Sequence, residues 1–171
     1  MRLQNNITQK RLQELLSYDP ETGLFINLTQ RSSRAKKGDI AGCKKPSGDI
    51  EIRLDYKLYP AHRLAWLYMY GKFPEKGVGH INRVKDDNRI SNLRRATRQE
   101  SGQNVLNPRI DNTCGYLGVY WHKAAKKWNA RIVINGKQKS LGYFNTAEEA
   151  SEAYLKAKRE IHPFWVEEKV A

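Results

Sequence analysis

Residues 75–97 read EKGVGHINRVKDDNRISNLRRAT. Two short apolar-bearing stretches, 78–82 and 93–96, flank a polar run at 83–91. That pattern predicts two antiparallel strands joined by a loop. Thr97 follows, with Glu100 at capping-box spacing, so a helix is expected to start there. The order is strand, loop, strand, helix. His80 falls on the first strand. Ser101 and Asn104, three residues apart, share one face of the helix.

Working outward toward the N-terminus, residues 61–70 (AHRLAWLYMY) predict an apolar helix that Gly71 ends, with Leu64, Leu67 and Tyr68 facing a core. Residues 49–59 alternate Ile50, Ile52 and Leu54 against Glu51, Arg53 and Asp55, the mark of a half-buried strand, with Tyr56 and Lys57 turning it back. Residues 29–48 carry Arg31, Arg34, Lys36, Lys37, Lys44 and Lys45 and read as an exposed loop or irregular hairpin. Residues 8–17 predict a helix capped by Thr8, followed by a turn at 19–23 and a short strand.

Toward the C-terminus, residues 105–116 hold Pro, Asn, Asp and Gly without periodicity and read as a linker. A second unit, 117–171, then shows strands at 117–122, 128–134 and 138–143. Asn135 and Gly136 form a strong hairpin signal between the last two. A helix at 146–160 starts at Thr146, with Glu149 completing a capping box. Its inward face is Ala147, Ala150, Ala153, Tyr154 and Ala157. The whole is an α+β chain, with residues 1–104 as its first part.

The 171 residues carry a formal net charge of +13. A chain so basic points to an acidic partner, nucleic acid above all. The distribution sharpens this. Lys123, Lys126, Lys127, Arg131, Lys137 and Lys139 follow one another with no carboxylate between them, while the last helix carries Glu148, Glu149, Glu152 and Glu160. The sheet side is therefore basic. Strand alternation sends Trp128, Ala130, Ile132 and Ile134 to the helix and Asn129, Arg131 and Val133 to the open face, joined there by Tyr120 and His122. Arginine pairs bidentately with guanine in the major groove. Trp121 and Trp128 are expected in the core. Cys43 and Cys114 lack partners at metal-ligand spacing and read as reduced thiols. No apolar run reaches the length of a membrane span and no signal pattern appears, so a cytoplasmic protein is expected.

The pieces GVYW (118–121), KWNARI (127–132), the glycine before Tyr143 and Phe144, and AEEASEAY (147–154) resemble the AP2 domain family. That resemblance implies docking of a three-stranded sheet into the major groove of duplex DNA. The pieces AHRLAW (61–66), GHIN (79–82) and DDNRISNLR (86–94), with the helix after Thr97, resemble the HNH endonucleases of the phage and intron homing type. AP2 modules often accompany such nucleases. The HNH resemblance implies a ββα-metal unit (motif 78–104) and a phage-encoded protein acting in a bacterial cell. It makes His80 the general base and gives Asn92 the task of fixing the imidazole or the loop. It also implies one divalent metal, Mg²⁺ or Mn²⁺, held by an Asp before the histidine and by an Asn or His on the helix.

Both ligand positions depart from the pattern. Gly79 stands where Asp is expected, and Ser101 stands nine residues after Asn92 where Asn or His is expected. Glycine has no side-chain oxygen, and a neutral hydroxyl is a poor ligand for a hard dication. Asn104, and less so Asp86 or Asp87, are the substitutes within reach. His62, His122 and His162 receive no catalytic role. Three functions stay open: a metal-dependent nuclease or nickase, a DNA-binding protein on the same scaffold that has lost efficient cleavage, and a binder of RNA or protein. No coiled-coil or dimer stripe appears, so a monomer is expected.

Overall fold

In a computed structural model, residues 7–108 and 110–166 are described, and the chain divides into two compact units, Met1–Thr97 and Arg98–Ala171. The architecture is α+β. In the first unit the Thr8 hydroxyl accepts from the Arg11 amide and caps helix α1 (Gln9–Leu15). Leu12 and Leu15 face inward. The helix stops two residues short of expectation. Leu16 leaves helical geometry and starts strand β1 (Leu16–Tyr18), which pairs with β2 (Phe25–Asn27) around the turn at 19–23. Strand pairing there satisfies backbone groups that a further helical turn would have used. The Asp19 carboxylate closes the turn by accepting from the Glu21 amide and the Thr22 hydroxyl.

The basic stretch 29–48 is mostly exposed, with one short strand, β3 (Cys43–Lys44). It pairs with β4 (Ile50–Leu54), which turns into β5 (Lys57–Pro60). The expected alternation is present: Ile52 and Leu54 are buried and Arg53 is exposed. The turn sits one residue earlier than expected. Asp55 and Tyr56 take positive φ (44° and 65°), the backbone form of a tight two-residue hairpin. Helix α2 spans Ala61–Tyr70, and Gly71 ends it in the left-handed region. Leu64 and Leu67 are buried, and Tyr68 packs on the same core as Leu12, Phe25 and Ile52.

The hairpin of the opening stretch forms from β6 (Val78–His80) and β7 (Leu93–Arg95), antiparallel, with His80 opposite Leu93. A 3-10 turn at Ile90–Asn92 precedes β7. The second unit begins with α3 (Arg98–Gln103). Its sheet has the order β10-β9-β8, from β8 (Val119–His122), β9 (Lys127–Ile134) and β10 (Lys137–Phe144), all antiparallel. Asn135 and Gly136 turn β9 into β10 with positive φ at both. Helix α4 (Ala147–Ile161) carries the full Thr146–Glu149 capping box and lays Ala147, Ala150 and Tyr154 on Val119, Ala130 and Ile132. No helix among the described residues is long and apolar enough to cross a membrane.

Candidate functional site: a histidine cradle and a basic sheet face

His80 ends β6, and its surroundings fix its chemistry. Nε2 lies 3.1 Å from Asn88 Oδ1. The Asn88 Nδ2 donates to the Asp86 carbonyl at 3.3 Å, so the atom toward His80 is the amide oxygen and accepts only. Nε2 therefore carries a proton and donates it to that oxygen. Asn88 is 2% exposed, and its backbone carbonyl accepts the Tyr18 hydroxyl at 2.7 Å. Asn88 thus orients the imidazole, a role that only loop closure reveals.

Asn92 serves the loop rather than the ring. Its Nδ2 donates to the Asp87 carbonyl (2.8 Å) and its Oδ1 accepts from the Asn82 amide (2.9 Å), stapling the two ends of 82–92 together. Asp87 is the loop's internal anion. It accepts from Arg89 Nη2 at 2.6 Å and from Asn82 Nδ2 at 2.7 Å. The hydrogen bond from Arg89 chiefly, then that from Asn82, draws its carboxyl down to about 2. Asp86 pairs with Lys44. The loop rests on the 19–23 turn: a Cβ on Gly23 would fall 2.4 Å from the Arg89 amide nitrogen, so only glycine fits there.

His62, in the first turn of α2, meets the His80 ring edge-on, with centroids 5.1 Å apart. Its Nδ1 is buried without a hydrogen-bond partner among the described residues. Burial, with help from His80 and Arg63 and against the pull of Asp49, lowers its pKa to about 4. It is neutral at physiological pH.

The donors here do not suit a hard divalent cation. Gly79, paired with Arg94 on the hairpin, has no side-chain oxygen. Asp86 and Asp87 are engaged with Lys44 and Arg89. Ser101 is exposed on α3. Asn104 is buried and its Oδ1 accepts from the Val166 amide at 3.2 Å. Among the described residues no group of three or more His, Cys, Asp or Glu side chains has metal-binding geometry. Mg²⁺ and Mn²⁺ need several oxygen donors together, and this set does not supply them.

On the open face of the C-terminal sheet, register brings Tyr120, Asn129 and Tyr143 side by side and sets Arg131 beyond Asn129. Arg131 is half-buried, with its guanidinium carbon 5.7 Å from the centre of the Tyr120 ring. Its Nε donates to Asn129 Oδ1. Its Nη groups have no partner among the described residues. His122 packs edge-on to Tyr143, centroids 5.1 Å apart, and its Nδ1 accepts the Ala125 amide. Lys123, Lys126 and Lys127 are exposed at the β8–β9 turn.

Three expectations for this face need correction. Asn129 lies beside Arg131 but is 1% exposed, because its amide turns into the sheet. Lys137 and Lys139 pair with Ile134 and Ile132, residues of the opposite face, so strand parity carries them away from Arg131. Trp121 is 48% exposed rather than core, since β8 is an edge strand. It meets Trp128 edge-on. Tyr143, which the sequence reading passed over, is 49% exposed on the Arg131 side.

Residues 59–103 match the family model described as HNH endonuclease. No curated protein and no solved structure matches the chain. The matched stretch runs from β5 through α3 and includes His62, His80, Asn88 and Asn92. Over residues 59–103 the chain is thus similar to the HNH endonucleases.

Proposed function

We propose that the chain is a sequence-specific double-stranded DNA-binding protein of the homing-endonuclease type whose metal-dependent cleavage is impaired. Residues 1–104 form the nuclease part, 105–116 a linker, and 117–171 an AP2-like module. That module lays its sheet in the major groove. Arg131 meets a guanine there, and Lys123, Lys126 and Lys127 meet phosphates beside Tyr120 and His122. It acts as a monomer in the cytoplasm of a bacterial host.

The observation that carries the reading is Gly79. Phosphodiester hydrolysis asks for a base on water and for neutralisation of charge at the phosphate and leaving oxygen. The first group is present: His80 is oriented by Asn88 and takes the proton of a water attacking phosphorus. The second lacks an oxygen next to the base, and Ser101 repeats the loss on α3. A second reading, an active nickase, is supported by the same intact histidine cradle.

The test is selection from pooled random duplex DNA by the full chain across a Mg²⁺ and Mn²⁺ titration. Retained duplexes with intact strands at every metal concentration are expected. Robust nicking by the parent chain, abolished by His80→Ala, would establish the second reading instead.

A further inference from the structure

Asn129 is a polar side chain at the centre of a face that otherwise presents its polar groups to solvent. Its Nδ2 donates one proton to Ser140 Oγ (2.7 Å) and the other to the Gly142 carbonyl (2.8 Å). Both acceptors lie on β10, on either side of the point where the register shifts by one residue around Leu141. The irregularity lets one amide reach both. With both protons committed to oxygens, the amide cannot flip, and Oδ1 must face Arg131 Nε.

Arginine has five N–H donors in a planar fork. Asn129 engages the Nε donor, and the Tyr120 ring lies against the guanidinium. The Nη pair is left without a partner among the described residues. Pairing to guanine O6 and N7 uses two parallel N–H donors of that fork. No carboxylate competes for the charge: among the described residues Arg131 has no ion-pair partner.

We infer that Asn129 is a positioning residue for base recognition, an internal clamp that presents the Arg131 fork in one orientation without touching DNA itself. The inference rests on the open face being the DNA-docking surface. Ordering a rotamer-rich side chain on binding weakens an interaction by roughly 2- to 10-fold. A clamp that orders it beforehand removes that loss only where the fork needs orientation, at the guanine.

The experiment uses the full chain and one duplex selected by it from pooled random DNA, with all single-base variants of that duplex. Arg131→Ala locates the position by erasing one guanine preference. Asn129→Ala is expected to reduce discrimination at that same position by about 2- to 10-fold, with the salt slope of binding and preference elsewhere unchanged. Ser140→Ala, on the exposed edge strand and less disruptive to the fold, is expected to show a smaller loss confined to that position. Asn129→Asp is expected to capture the arginine as an ion pair and weaken the guanine-bearing duplex most.

Uniform weakening across all duplexes in both Asn129→Ala and Ser140→Ala, or no change in either, would overturn the clamp while leaving Arg131 as a base contact. If Arg131→Ala itself leaves every preference intact, both the clamp and the docking surface it rests on are wrong.

Discussion

Protonating His62 would place a cation in a half-buried site edge-on to His80. The ordinary value for its ring is 6.5, and in the folded chain it is about 4. Between those values the unfolded chain holds a proton that the folded chain refuses. Stability is therefore full above pH 6.5 and falls as pH drops toward 4, by about 3 kcal/mol. His62→Gln should remove that part of the slope, read as the difference between variant and parent in urea melts at pH 7 and 4.5. Identical slopes would show that the ring is already charged or exposed. At the other end of the chain, Arg131→Ala should cost about 1–3 kcal/mol and relax preference at one base pair. Equal loss on every duplex would mark a phosphate contact.

Residue roles were legible where spacing along the chain decides them. Thr8 and Thr146 cap the helices that their positions promised, and Glu149 returns to the Thr146 amide. They were not legible where a contact closes across a loop or a bulge. Nothing local says that Asn88, eight residues after His80, folds back to its Nε2. Strand alternation correctly put Asn129 beside Arg131, but only the displaced register at Leu141 turns its amide inward.

The 82–92 loop is held as a unit at the scale of elements, by Asn92 across its ends, Asp87 within, and the 19–23 turn against its back. Gly23 is where turn and loop meet, at φ 75° with backbone in the place a Cβ would take. Gly23→Ala should destabilise the N-terminal unit by about 3 kcal/mol, since neither strain can relax through a flexible side chain. A thermal melt of the variant checks this, and an unchanged midpoint would mean the loop does not rest on the turn. The long amphipathic elements were readable in advance: α2, α4 and the β9–β10 hairpin fall within a residue or two of their expected bounds. The short strands β1 and β3 were not, because two or three residues carry no period. Their pairing depends on partners brought near by the rest of the fold.

For the whole molecule, a net charge of +13 makes binding to duplex DNA an ion-exchange reaction. Engagement of Lys123, Lys126 and Lys127 alone gives a log–log salt slope of about −3, and further contacts steepen it. A flat salt dependence would remove DNA as the partner. On the proposed reading, the nuclease scaffold is intact and silent for want of two side chains. The most direct measurement is nicking of supercoiled plasmid bearing a selected site, in Mg²⁺ or Mn²⁺, by the parent and by the Gly79→Asp, Ser101→Asn double variant. The account predicts an inert parent and a double variant that nicks and loses activity again on His80→Ala. Efficient nicking by the parent, or a double variant as inert as the parent while still bound to the site, would contradict it.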